Sequence, residues 1–401
     1  MPTINLLWEE SRGIQMRKHF LVFGSPRIET DEIKEVVGSL RSGWLSSGPK
    51  VARFEEAFKE YMHAQYAVAM NSCTAGLFLS LVVAGIERDD EVITTPFTYA
   101  ATANVIIHRY AKPVFVDVDP VSMNMDPNQI EKKITRRTKA IMPVHFAGRA
   151  CNMNAILKIA KKHNLIVIQD AAHALETIYH GKKIGTLGDL TAFSFYATKN
   201  LTTGEGGMVT TSRRRWAEMI QILASQGMTR GAWRRYSDKG YKHYQILVPG
   251  FKFNMMDLQA GIGLHQLAKI ERYLEIREKI WKAYDEGLKG LPLQTPALPE
   301  PGTRHARHLY TILLDLKALR ISRDQFQYEL FKMKIGTGIH FISIHLQPYY
   351  RKAFKFKPQD FPNAAWLSER ILSLPLSAKL TPKDVKDVLW AVKKIIKKYQ
   401  R

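Results

Sequence analysis

Cysteine is almost missing from this 401-residue chain: Cys73 and Cys151 are the only two. Two thiols cannot build a disulfide framework, so a small cross-linked secreted fold is excluded and a reducing compartment is expected. No apolar run approaches the roughly 20 residues that span a bilayer. The first residues, MPTINLLWEESRGIQMRKHF, carry Glu9 and Glu10 where a signal peptide would have its apolar core. A cytoplasmic protein without integral membrane association is therefore expected. Low-complexity tracts and fixed-period repeats are also missing, which excludes disordered scaffolds and solenoids. The histidines are scattered without ligand spacing, so no metal site is expected.

Acidic residues are scarce too. There are 37 against 59 lysines and arginines, a formal net charge of +22. Such a surface attracts nucleic acid, anionic membrane or phosphorylated substrates. Yet the basic residues are dispersed, with only short knots such as Arg213-Arg214-Arg215 and Lys393-Lys394. No nucleic-acid motif accompanies them. The plainer reading is a solvated basic surface, and no nucleic-acid partner is expected.

What is present is a regular alternation between about Tyr66 and Thr211. The apolar runs YAVAM, EVITT, PVFVDV, KAIMPVH and LIVIQD read as strands, and AGLFLSLVVAG and YAATANVIIHRY as helices. LTAFSFY and GGMVTT read as two further strands. Near-continuous apolar strands alternating with helices imply a mostly parallel sheet buried on both faces. After Gly250 the character changes. Asp257 to about Leu288 reads as one long helix, LPLQTPALPEPG as a loop, and DVKDVLWAVKKIIKKYQ as an amphipathic helix with a solvated basic face. The expected division is an extension over 1–20, a large α/β domain over 21–256, and a long bridging helix with a smaller α+β domain over 257–401.

The chemistry concentrates in one stretch. Asp170 ends an apolar strand, and Lys199 follows another. Ligand-binding residues of open α/β sheets gather at the carboxyl ends of strands. A lysine amine and an aspartate are the pair that pyridoxal 5'-phosphate (PLP) requires, one for the Schiff base and one for the pyridinium nitrogen. Asn71-Ser72-Cys73-Thr74 opens a helix and can present N–H groups and a hydroxyl to a phosphate. Ser194 could add a phosphate contact, Tyr99 could stack on a pyridine ring, and His173 could lie beside it. Singly, each of these is more often a cap, a turn or a packing residue; their order along one α/β domain is what points to a cofactor site.

Several segments together closely resemble the DegT/DnrJ/StrS family of PLP-dependent sugar aminotransferases. They are SGWLSSGPKVARFEEAF, NSCTAGL, DEVITTPFTYAATAN, KPVFVDVD, TKAIMPVHFAG, QDAAHA, FSFYATKN, GEGGMVTT and GFKFNMMDLQAGIGLHQL, joined near the end by RHLYTI and SLPLS. The resemblance implies a fold-type I aminotransferase. It implies Lys199 as the Schiff-base lysine, Asp170 as the pyridinium partner and Tyr99 as the stacking aromatic. It places Cys73, Thr74 and Ser194 at the phosphate and His173 beside the ring hydroxyl. It further implies a homodimer with shared active sites, in which Lys252 and Asn254 of GFKFN reach toward the partner's phosphate groups. Trp44, Ser46 and Ser47, together with Tyr196 and His340, are the substrate-side candidates. The reaction implied is a ping-pong transfer from glutamate to a nucleotide-diphosphate-linked ketosugar, at carbon 4, in the making of polysaccharides or aminosugars.

GFKFN and KIGTGIHFISIHLQPYY look closest to the subgroup acting on UDP-linked 4-keto pentoses. Departures from the family pattern are Cys73 where glycine is common, Gln169 in place of glutamate, and Lys252 where many members have asparagine. Tyr196 stands where that subgroup tends to have histidine. Relatives that dehydrate instead of transaminating carry histidine in place of the lysine, and a non-catalytic regulator should lack the lysine or the aspartate. This chain keeps both.

Overall fold

The computed structural model describes residues 17–229 and 243–401. The expected N-terminal extension lies outside the described residues as far as residue 16.

The first part of the chain lays down α1 (Thr30–Ser42), α2 (Pro49–Met62), β1 (Tyr66–Met70), α3 (Cys73–Val83), β2 (Glu91–Thr94), α4 (Ala100–His108), β3 (Lys112–Phe115) and β4 (Thr138–Ile141). There follow α5 (Met153–His163), β5 (Ile166–Asp170), the small hairpin β6 (Ile178–Tyr179) and β7 (Lys182–Lys183), β8 (Leu190–Ser194), β9 (Gly207–Thr211) and α6 (Arg214–Ala224). Seven strands form one sheet in the order β1-β9-β8-β5-β4-β2-β3. Only β9 runs against its neighbours, so β1, β2, β3, β4, β5 and β8 all point the same way. Their carboxyl ends therefore lie along a single edge, where the candidate residues were expected.

The strands are apolar on both faces because helices cover both. One core joins Phe54, Phe58, Ile141, Val167, Phe193 and Met208, and the other joins Val68, Leu77, Leu79, Ile168, Leu190 and Val209. Each such side chain contributes about 1.5–3 kcal/mol of transfer free energy. Helix α3 lacks a polar face because it packs on the sheet, with Leu77, Leu79 and Leu81 fully buried.

The expected single helix after Asp257 is two. Helix α7 (Asp257–Ala268) ends at Lys269, whose φ of −106° and ψ of −1° leave the helical path, and α8 (Ile270–Leu288) begins there. The Lys269 ammonium is drawn back to Glu29, Asp31 and Glu32 beside the start of α1. That tertiary attraction acts at a point where the local pattern is uniformly helical. Beyond it come β10 (Leu293–Gln294), β11 (Thr303–Arg304), β12 (Tyr310–Leu314), α9 (Arg323–Lys332), α10 (Pro348–Phe354), α11 (Pro362–Arg370), β13 (Ile371–Leu374) and α12 (Pro382–Tyr399). Helix α12 starts with Thr381 as a capping-box residue and Pro382 in its first turn. Its apolar face, Val385, Val388, Val392, Ile395 and Ile396, joins Trp281, Tyr284, Tyr310 and Leu372 in a separate core. Leu21 also enters this core and pairs with Ile335.

Candidate active site

Asp170 ends β5 beneath the sheet edge and is nearly fully buried. Thr102 on α4 donates its hydroxyl to Oδ2 at 2.7 Å, and the Ala172 N–H donates to Oδ1 at 3.1 Å. Thr102 has a single hydroxyl proton, already committed, so Thr98 must be the donor in the 2.8 Å contact between the two threonines. Burial pushes the Asp170 carboxyl above the usual range, and the Thr102 bond pulls it back. Among the described residues no salt bridge reaches it. It is a buried acid that receives hydrogen bonds and feels the Lys199 charge without a direct ion pair, an environment that suits a protonated ring nitrogen.

Lys199 lies on the turn that follows β8, closed by its own N–H to the Tyr196 carbonyl at 2.9 Å. Burial holds its amine well below the ordinary lysine value, at about 8, against an opposing pull from Cys73 and Asp170. An amine near 8 is a free base often enough to attack a carbonyl at neutral pH. His173 accepts the Ala147 N–H on Nδ1 at 3.2 Å, so its proton sits on Nε2. Burial and then the Lys199 charge keep it neutral. The ring lies 6.0 Å from Phe341, nearly parallel, and Phe341 lies 6.3 Å from the exposed ring of Tyr99.

The phosphate end is built on backbone. Ser72 caps α3 by accepting the Ala75 N–H at 3.1 Å, which leaves the first-turn N–H groups of Cys73 and Thr74 without a helical acceptor. The helix dipole adds partial positive charge there. Gly207 makes this geometry possible: a Cβ on it would come within 2.5–2.6 Å of the Ser72 carbonyl carbon and the Cys73 nitrogen. Ser194 pairs directly with Gly207, which brings its hydroxyl to the same end of the sheet. Cys73 fits because its side chain turns inward, where burial drives its thiol far up and keeps it inert. A buried acid with no direct ion pair among the described residues, a depressed amine and a helix N-terminus with spare donors thus suit PLP.

Trp44, Ser46 and Ser47 form a connected rim with Lys252 and Asn254, while Tyr196 and His340 stand apart from it. The Asn254 amide donates to Ser47 Oγ at 2.6 Å, Ser47 Oγ donates to the Met255 carbonyl at 2.5 Å, and the Lys252 ammonium donates to Asn254 Oδ1 at 2.7 Å. Asn71 donates to the Lys252 carbonyl at 3.3 Å, so Lys252 and Asn254 already lie beside α3 within their own chain. The Trp44 indole donates to the Ser47 carbonyl at 3.3 Å, and Ser46 accepts the Asp257 N–H at 3.1 Å. Tyr196 is exposed on the lysine turn. His340 bonds Ser373 at 2.8 Å and stacks on Phe23, and burial followed by the Lys199 charge holds it near 4.

Sequence reasoning missed Thr98, which lies just before α4, and Thr102 within it. It also missed Phe341, Asn200 and His308. Gln169 proves to be fully buried: its amide nitrogen, with two hydrogens, lies within reach of the Ile184 and Leu187 carbonyls and the Thr191 hydroxyl, and its oxygen lies 3.0 Å from His145 Nε2. Among the described residues no group of His, Cys, Asp or Glu could hold a metal, and no helix is long and apolar enough to cross a membrane.

The chain matches the family model of the DegT/DnrJ/EryC1/StrS aminotransferases over residues 26–393. It is 53% identical over 382 residues to protein MJ1066 of Methanocaldococcus jannaschii, covering 95% of this chain and 99% of that one. It is 49% identical over 386 residues to the spore coat polysaccharide biosynthesis protein SpsC of Bacillus subtilis, covering 96% and 99%. Among solved structures it is similar to Spr1654 of Streptococcus pneumoniae in its PMP form, with a TM-score of 0.88, 33% identity and coverage of 94% and 99%. The Helicobacter pylori aminotransferase PseC, involved in the biosynthesis of pseudoaminic acid, gives a TM-score of 0.87 at 30% identity, covering 95% and 100%.

Proposed function

We propose that this chain, which belongs to the DegT/DnrJ/EryC1/StrS aminotransferase family, transfers the amino group of glutamate to the keto carbon of a nucleotide-diphosphate-linked sugar, at carbon 4, in the cytoplasm. The chain is an aminotransferase and PLP is its cofactor. The observation that supports transamination is the convergence of Lys199, Asp170 and His173 at one sheet edge beside the first-turn N–H groups of α3; the donor and the sugar rest on the family resemblance.

When bound, the cofactor supplies a ring that stores the electron pair released as a C–H bond breaks. Asp170 would keep the proton on the ring nitrogen, steadied as a carboxylate by Thr102 and Ala172. His173, neutral with its proton on Nε2, would donate to the ring oxygen. Tyr99 would cover the ring face, while Cys73, Thr74 and Ser194 bind the phosphate. Lys199 would tether the cofactor and, when released from it, would hold and move a proton on Nζ. Trp44, Ser46, Ser47, Tyr196 and His340 would hold the sugar nucleotide. The +22 net charge steers such a phosphorylated substrate inward. The product would feed polysaccharide or aminosugar assembly, as the name of SpsC suggests for that relative. The division into a large domain over 21–256 and a smaller one over 257–401 is part of the same reading.

The test starts with the absorbance of the PLP-loaded protein before and after excess glutamate. Loss of the lysine-bound absorption and appearance of the PMP spectrum are expected; an unchanged spectrum would remove glutamate as donor. A panel of nucleotide ketosugars, UDP-linked 4-keto pentoses included, should then restore the starting spectrum with one member.

The homodimer is tested by mixing inactive variants. If Lys252 and Asn254 complete the partner's site, co-refolding Lys199→Ala with Asn254→Ala should regenerate one intact site per mixed dimer, roughly a quarter of full activity at statistical mixing. Mixtures as inactive as their parents would mean that Asn254 serves its own chain; the same mixing with Lys252→Ala decides Lys252.

A further inference from the structure

We propose that Asn200 is a positioning residue for the transamination, locking the lysine-bearing turn to His308 and through it to His173. This rests on the aminotransferase activity and not on the identity of the sugar.

Asn200 directly follows Lys199. Its amide nitrogen donates to Glu176 Oε2 at 2.9 Å and to the Ala306 carbonyl at 2.9 Å. Both amide hydrogens are thereby used, so Oδ1 is the acceptor for His308 Nδ1 at 3.0 Å. That fixes the His308 proton on Nδ1. Burial, followed by the nearby Lys199 charge, keeps the ring neutral. Glu176 is itself held, fully buried, by Arg277, so Asn200 is anchored to a fixed charge.

Two routes lead from Asn200 to His173. The first is direct: the His308 and His173 rings lie 4.5 Å apart. The second runs through backbone. The Ala306 N–H donates to the Gly148 carbonyl at 3.0 Å and the His308 N–H to the Ala147 carbonyl at 3.2 Å. Ala147 in turn donates the hydrogen bond that sets the His173 tautomer. On its other flank the turn is pinned by Gly24, where a Cβ would come within 2.7 Å of the Thr198 methyl. The network thus ends on the two groups that must face one cofactor from different strands, and an error at Asn200 would move both.

The experiment compares Asn200→Ala, His308→Leu and His308→Gln with wild type. The readouts are the glutamate half-reaction, the thermal midpoint, and the pKa of Lys199 in cofactor-free protein, taken from the pH dependence of amine labelling. Asn200→Ala and His308→Leu should lower kcat roughly 10–100-fold, the scale of a misplacement near 1 Å, with KM for glutamate changed by no more than about threefold. The Lys199 pKa should rise toward the ordinary lysine value as the turn loosens. His308→Gln, whose side-chain N–H can reach Asn200 Oδ1, should recover most of kcat.

An unchanged kcat and Lys199 pKa in Asn200→Ala would overturn the proposal. So would equal losses in His308→Gln and His308→Leu that simply follow the thermal midpoint. If Asn200→Ala does not fold, the His308 pair carries the test, since both leave Asn200 bonded to Glu176 and Ala306. If wild type itself ignores glutamate, the donor assignment falls, and the labelling pKa still decides the role of Asn200.

Discussion

Replacing Lys199 with methionine is expected to lower transamination by about 10⁴-fold or more, since one amine serves as both covalent tether and proton carrier. The lysine-bound absorption should vanish, although PLP can still occupy the site through Asp170 and the α3 N-terminus. The same substitution should make the cofactor-free protein more stable at pH 7. The reason is linkage. Burial holds Lys199 at about 8 in the folded chain against 10.5 ordinarily. Below pH 8 both folded and unfolded chains carry the charge, and the folded state bears its desolvation cost, on the order of 3 kcal/mol. Between pH 8 and 10.5 the unfolded chain binds the extra proton, so wild-type stability rises with pH across that window. Thermal midpoints of apo wild type and Lys199→Met should therefore differ at pH 7 and converge by about pH 10.5. A variant less stable than wild type at pH 7 would show that the amine is well solvated.

Asp170→Asn should cost roughly 10²–10⁴-fold in kcat while leaving the absorption of the lysine-bound cofactor in place. The amide keeps the shape and loses the charge that holds a proton on the ring nitrogen. Thr102→Val separates this effect from packing. Removing the hydroxyl takes away the bond that opposes burial at Asp170, so the carboxyl should rise further. Because activity needs the carboxylate, the acid limb of the pH–kcat profile should move to higher pH in Thr102→Val and be lost from the residual activity of Asp170→Asn. An acid limb that stays in place in Thr102→Val would mean that another group governs it.

Much of this was legible in the sequence for a physical reason. Strands buried on both faces must be apolar throughout, and residues at their carboxyl ends are then the few polar groups able to meet a ligand. That is why Asp170, Ser194 and Lys199 stood out. What stayed hidden depends on contacts between distant segments. The break at Lys269 follows from carboxylates on and just before α1, which no local pattern reveals. Thr102 sits on α4 while its partner Asp170 ends β5, 68 residues on, so no local pattern joins them. Asn200 and His308 meet because β11 pairs with the β6–β7 hairpin and the next residues bond the Ala147–Gly148 backbone, which brings residues 305–308 beside the lysine turn. Cys73 shows the converse: a departure from the expected glycine that the fold absorbs, because the close approach is made by Gly207 on the facing strand.

The sheet order also has a consequence for synthesis. Strand β1 emerges early from the ribosome, yet its partner in the sheet is β9, and that strand exists only after Gly207–Thr211 has been made. Until then YAVAM is an apolar strand with neither edge paired, the kind of segment that pairs with other chains, whereas in the finished sheet it is an edge strand held by β9. The helices α1 and α2 are made earlier, and α2 packs on β1 and shields one of its faces; the open edges have no such cover. Slow passage through residues 71–206 should favour aggregation of nascent chains, and the yield of native protein should depend on translation speed and chaperone supply more than on the stability of the finished fold.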